Sequence, residues 1–312
     1  MIRRDFSIGM IIILTKLCFL LILQTATPLY AQSSGIEMKE YKLLIKPGKF
    51  KDYNNLENDV DTFLEEVANF ISANYDTAEL AVAFDLEDLE MQEIKFFDTK
   101  DHQLRANGFT LSEEIELEKS ESGVLERDDK AKYTLAYGTA GEQFAQLIDL
   151  SVKQFKEFKI RSAPEKFEEH ISPANSIFSR SITARFRPEV YSMDTAWKAA
   201  NIFPVLATFL DLRLPLMPVS NFVVTEHKFA GEIEFDPDHY AEFKLHVWSF
   251  PAKSEPPEIS LAEFSMEYEM EELLGSKLPQ YADLLFKALQ KTEWYAPNLK
   301  TKMDFIYQSP VN

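Results

Sequence analysis

The sequence predicts an α+β fold: an antiparallel sheet with amphipathic helices packed on its apolar face, and a polar face that would line the lumen of a tunnel-like β-barrel if the sheet closes. Three observations predict it. Segments spread from residue 37 to residue 270 alternate apolar and polar side chains, the period-two pattern of strands with one buried face. Between them run stretches whose apolar residues recur every three or four positions, the pattern of helices buried on one side. The 312 residues are 46% hydrophobic with a single cysteine, so a large core forms without disulfide staples. Closing a sheet of this kind places its polar face in a cavity.

In chain order, Glu37 to Ile45 reads as the first strand, with Tyr41, Leu43 and Ile45 on one face and Met38, Glu40 and Lys42 on the other. Lys46-Pro47-Gly48 ends it. Asn55 to Asn74 reads as a helix through Leu56, Val60, Phe63, Leu64, Val67, Phe70 and Ile71. Glu79 to Phe84 and Met91 to Phe97 read as a strand pair, and Asp98 to Gly108 as a polar turn. From Leu111 a strand sets Leu111, Ile115 and Leu117 against Ser112, Glu114, Glu116 and Glu118. Lys130 to Gly138 sets Lys132, Thr134 and Ala136 against Tyr133, Leu135 and Tyr137. Gly141 to Lys159 has helical spacing, and Ala163 to Ala174, with its two prolines, reads as a connection between two halves of one barrel joined around 160–176. Ser179 to Glu189 is a strand with Arg185 and Arg187 on one face. Asp194 to Leu210 is helical, and Pro215 and Pro218 break the chain after it. Three strands follow: Asn221 to Phe235 bent at Gly231, Tyr240 to Phe250, and Glu258 to Met270. In the last, Phe264, Met266 and Tyr268 alternate with Glu263, Ser265, Glu267 and Glu269. Glu271 to Lys291 reads as a helix and Lys300 to Tyr307 as a final strand.

The order of these segments resembles the CYTH, or triphosphate tunnel, family. Phe97-Asp98-Thr99, Leu104 and Leu111 match its aromatic-Asp-Thr turn and the strand that follows. Met38, Glu40 and Lys42 stand where family members carry E-x-E-x-K, so two of three are kept. The late strand with Glu263, Glu267 and Glu269 is similar to the family's metal-holding glutamate strand, with Ser265 a departure. The resemblance implies a barrel whose lumen grips a triphosphate beside a divalent metal. It also implies lost phosphate ligands, because Ser112 and Glu114 replace two tunnel arginines and Ala136 replaces a lysine. Each lost charge-assisted contact costs about 1.5–3 kcal/mol.

Residues 1–31 read as a cleaved export leader: Arg3 and Arg4, an apolar run from Ile8 to Leu23 interrupted by Lys16, and a small residue at Ala31. A mature chain of residues 32–312 is then expected in the periplasm or outside the cell, with no membrane span. Removing the leader also removes Cys18, which excludes disulfides, thiolate metal sites and a cysteine nucleophile. The net charge of −18 repels nucleic acid. The five histidines show no H-x-x-x-H spacing, and P-loop, G-x-G-x-x-G and G-x-S-x-G motifs are absent from the sequence.

The closed lumen would present Lys42, Lys132, Arg185, Arg187, Lys228 and Lys244 as phosphate or ligand contacts. Facing them would be Glu40, Glu114, Glu116, Glu226, Glu242, Glu263, Glu267 and Glu269, with His246 beside them. Glu40, Glu263, Glu267 and Glu269 are the expected metal ligands, for magnesium, manganese or calcium, since hard oxygen donors suit those ions. Three functions remain open: a catalytically altered tunnel protein binding a small molecule or ion, an active metal-dependent triphosphate or polyphosphate hydrolase, and a structural envelope protein with a salt-bridged lumen. A contiguous basic wall favours the hydrolase; paired charges favour the other two.

Overall fold

A computed structural model describes residues 35–51, 55–77, 79–120, 124–155, 160–221, 223–250, 258–271, 275–298 and 301–308. The expected leader, 1–31, lies outside them. Strand β1 (Met38–Ile45) leads to helix α1 (Leu56–Asn74), and β2 (Ala83–Asp98) to the one-turn helix α2 (Gln103–Ala106). Next come β3 (Phe109–Lys119), β4 (Leu125–Arg127), β5 (Ala131–Thr139) and α3 (Glu142–Leu147). Strands β6 (Arg161–Ser162), β7 (Lys166–Ile171) and β8 (Ser176–Phe186) precede α4 (Ala196–Ile202) and the short β9 (Met217–Pro218). The chain finishes with β10 (Val224–Asp236), β11 (His239–Phe250), β12 (Glu258–Glu269), α5 (Leu278–Leu289) and α6 (Lys302–Gln308).

Nine strands pair in the order β3-β5-β8-β7-β1-β12-β11-β10-β2, and β2 pairs back with β3, closing the ring. Every junction is antiparallel except β1 with β7, which is parallel. The closing seam runs from Gln92 opposite Glu116 to Phe97 opposite Leu111. The expected barrel class holds, and its two faces follow from the alternation. Leu43, Phe243, Phe264 and Met266 face outward into a core completed by Val60, Phe63, Val67 and Ile71 of α1 and by Leu285 and Leu289 of α5. A second core joins Leu111, Tyr133, Leu135 and Ala184 to α4 and Phe203. A third lies against the C-terminal α6, where Ile306 meets Ile94, Val224, Trp248 and Leu261.

The aromatic-Asp-Thr turn has a structural explanation. Asp98, 2% exposed, accepts backbone N–H groups from Thr99, Leu104 and Arg105 at 2.7, 2.8 and 3.1 Å and the Tyr307 hydroxyl at 2.7 Å. It thereby caps α2 and docks α6, satisfying orphan donors at a helix start.

Five local readings differ from the structure. The strand pair expected at 79–97 is one strand, β2, whose acidic middle resembles a turn but pairs with β10 from Ala83 to Ile94. The helix expected from Gly141 to Lys159 stops at Leu147, where Arg180 donates to the carbonyls of Gln146 and Ile148. Of the expected connection 163–174, Lys166–Ile171 is β7, held between β1 and β8. The expected last strand is the helix α6. Helix α5 also starts later than expected, with a proline in its first turn.

Candidate functional site

The ring encloses a cavity of about 840 Å³. Strand alternation decides what lines it: β1 contributes Glu40 and Lys42, β3 Ser112 and Glu114, β10 Glu226 and Lys228, β11 Lys244 and His246, and β12 Glu263 and Glu267. Of the ten residues expected at the site, Lys42, Lys132, Lys228, Lys244, Glu40, Glu263 and Glu267 line the cavity. The other three do not. Arg185 is exposed and paired with Glu116 at 2.6 Å, Arg187 is exposed and paired with Asp129, and Glu269 is exposed past the end of the lining. Each sits at a strand end, where the lumen face continues beyond the enclosed part of the ring.

Every lysine lining this cavity has a carboxylate within ion-pair distance. Lys42 lies 2.8 Å from Glu40, Lys132 2.7 Å from Glu114 and Lys228 2.7 Å from Glu90. Lys244 pairs with Glu267, Lys302 lies 2.9 Å from Glu263, and Lys166 3.9 Å from Glu168. Where the family resemblance expects arginines, the Ser112 hydroxyl donates to Glu114 at 3.0 Å and Glu114 holds Lys132. That wall offers a phosphate no unneutralised cation.

Proton equilibria follow from these pairs. Burial alone would raise the Glu40 carboxyl, but the Lys42 ammonium and His170 beside it hold it well below the usual carboxylate range. Burial opposes the charge on Lys42 too, yet Glu40 and Glu263 keep it protonated above its ordinary value. Glu263 is held low against burial by Lys302 and Lys42. Glu267 goes the other way: burial outweighs Lys244, with Glu40 and Glu242 adding repulsion, and its carboxyl titrates above the ordinary range.

At one side of the lumen Glu40, Glu168 and His170 bring one ligand atom each within 4.8 Å of one another. His170 Nε2 is 3.3 Å from Glu40 Oε2 and 3.2 Å from Glu168 Oε2. Ligands about 2.1 Å from a small divalent ion stand roughly 3.0–3.4 Å apart, and the two imidazole–carboxylate distances fall in that range. Glu168 and His170 escaped sequence reasoning, because they lie in the stretch read as a connection. The alternation Lys166, Glu168, His170 against Phe167 was the available signal. Parallel pairing sets Glu40 opposite His170, a juxtaposition across strands that no spacing along the chain displays.

No protein-family model and no curated protein matches the sequence. Among solved structures, the chain is similar to a candidate adenylyl cyclase from Hippeastrum with a dominant triphosphatase activity, at 10% identity and TM-score 0.39, covering 87% of this chain and 95% of that one. It is also similar to a candidate adenylate cyclase from Bacillus halodurans, at 15% identity and TM-score 0.33, covering 87% and 97%. A protein from Pyrococcus horikoshii matches at 9% identity and TM-score 0.33, covering 83% and 94%. Likenesses this loose establish no chemistry, and the tunnel rests on the chain's own strand pairing.

Proposed function

We propose that the protein is an exported, catalytically altered tunnel protein that binds a divalent cation, and with it a small ligand, in its polar lumen. The observation that carries this reading is the pairing of every cavity lysine with a carboxylate. Phosphoryl transfer needs unspent positive charge at the phosphate oxygens, and a lumen neutralised by its own carboxylates supplies little. The cation belongs at Glu40, Glu168 and His170. An imidazole nitrogen beside two carboxylates favours a first-row metal such as manganese over calcium.

Calorimetric titration of the mature protein with manganese, magnesium and calcium tests the cation reading. Binding should weaken at least about tenfold in His170→Ala and in Glu168→Gln, since each removes a ligand. Equal heats for wild type and both variants would leave His170 as the centre of an ion-paired, purely structural lumen. With manganese or magnesium present, hydrolysis of inorganic triphosphate should stay well below about 1 per second, the low end of ordinary enzyme rates; faster turnover restores the hydrolase.

Export to the periplasm or the outside is part of the same proposal, supported by the basic start and apolar run within residues 1–31. The same proposal takes residues 32–312 as a single domain. N-terminal sequencing of protein from its native host should begin close to Gln32; a chain still starting at Met1 in the cytosol refutes export.

A further inference from the structure

Lys302 opens α6 and reaches into one end of the lumen. Its Nζ lies 2.9 Å from Glu263 Oε1, 4.0 Å from Glu226 Oε1 and 5.0 Å from the centre of the Trp248 ring. Two carboxylates and the face of an indole around one ammonium form a set that recognises organic ammonium ions in general, through charge and cation–π attraction together. Glu226 and Trp248 do not depend on Lys302 for their positions. Glu226 is 2% exposed and is fixed by strand residues: it accepts the Trp248 Nε1–H at 2.6 Å, a bond from Gln92, and meets His246 Nδ1 at 2.8 Å.

Lys302 reaches this place from outside the ring. It is carried by a seven-residue helix, one of whose ties, Arg105 to Asp304 at 2.8 Å, is partly solvent-exposed on both sides. The pocket it enters is continuous with the cavity of about 840 Å³, which is lined further along by Glu90 and Glu116. Exchanging Lys302 for another ammonium leaves every lumen carboxylate as neutralised as before, so the exchange avoids stranding a buried charge.

We propose that this end of the lumen is a binding subsite for a diffusible primary ammonium compound, such as an alkyl diamine, and that Lys302 occupies it as a built-in competitor. The subsite is separate from the proposed cation triad. Glu40 pairs with Glu267 on β12, and Glu263 lies four residues earlier, roughly 13 Å along a strand. Lys42 lies between the two, 2.8 Å from Glu40 and attracted by Glu263 as well, so the amine reading is tested without manganese and on variants that leave Glu40, Glu168 and His170 intact.

The test uses the full mature chain, with wild type and Lys302→Ala titrated by n-butylammonium chloride and by 1,4-diaminobutane dihydrochloride against sodium chloride at matched ionic strength. Lys302→Ala should bind the amines at least about tenfold more tightly than wild type, and its melting temperature should rise with amine but not with sodium. Adding Glu263→Gln to Lys302→Ala should reverse that gain about tenfold. An amine response equal in wild type and Lys302→Ala, or one that survives Glu263→Gln, overturns the proposal. If Lys302→Ala folds only when amine is present, the subsite is supported in stronger form. If it folds in neither condition, Lys302→Met, which keeps the side-chain stem over Trp248, is titrated instead, and no amine response in that variant counts against the subsite.

Discussion

Glu226 and His227 are neighbours on β10 that point to opposite faces, one into the lumen and one into the outer wall, and both make the fold sensitive to acid. Burial pushes the His227 imidazole down to about 4 despite the nearby Glu226 charge. Between its ordinary value near 6.5 and about 4, the unfolded chain takes up a proton that the folded chain refuses. Stability is therefore full above about 6.5 and falls as pH drops toward 4, by about 3 kcal/mol for a shift of that size. Glu226 adds to this below the ordinary carboxylate range: burial would raise it, but His246 and Lys302 hold it low, so its contribution is present above about 4.5 and lost beneath. Glu267, raised by burial, works in the opposite direction and gains stability on acidification. The discriminating comparison is urea unfolding of wild type and His227→Gln at several pH values. The wild-type midpoint should fall between about pH 6.5 and 4.5, and the variant's should stay flatter over that window; parallel curves would assign the acid sensitivity elsewhere. At this scale the sequence displayed the lumen lysines and glutamates of long strands, since alternation alone assigns their face. It did not display who pairs with whom: Glu168, His170 and Lys302 reach the lumen through pairings between distant segments.

The bend in β10 is an element-scale device. Its register against β2 shifts between Ala230 and Gly231, and a Cβ added at Gly231 would lie 2.0 Å from the Asp85 carbonyl oxygen and 2.9 Å from Phe243 Cε1. A bulge of this type tightens local twist and helps a sheet curl round to close. Because the clash is with backbone, a side chain cannot rotate away from it. Gly231→Ala should cost about 1–3 kcal/mol, read as a lowered urea midpoint at unchanged pH; a neutral effect would show that β2 can slide locally. The same scale separates elements that periodicity reveals from those it hides. Strand β12 was legible because Phe264, Met266 and Tyr268 face a core while Glu263 and Glu267 do not. Strand β7 is six residues of mostly charged side chains near Pro164 and Pro173, and its strand state comes from hydrogen bonds on both edges rather than from an apolar face. Helix α6 misleads differently, since Met303, Phe305 and Tyr307 alternate with Lys302 and Asp304 as a strand would. Ile306 in the third core and Tyr307 on Asp98 hold it as a helix.

For the whole molecule, the closed ring satisfies the edges of its nine strands and confines a charged surface to an interior where each lysine meets an acid. Closure also sets an order of events. β1 hydrogen-bonds to β7 on one side and to β12 on the other, with Met38 opposite Glu169's neighbour Glu168 and opposite Glu269. However the chain is delivered, this strand arrives first and its second partner nearly last. Contacts so remote in sequence make ring formation a slow, late event in folding. Trp248, packed at the lumen end, should accordingly reach native fluorescence in the final refolding phase, after the far-ultraviolet helical signal; simultaneous recovery would mean that the ring assembles along with its helices. While β1 waits, Lys39, Glu40 and Lys42 interrupt the apolar residues along its open edge, and such charges discourage the pairing of one unfinished copy with another. The residues that fill the finished lumen thus also guard the chain against aggregation before the lumen exists.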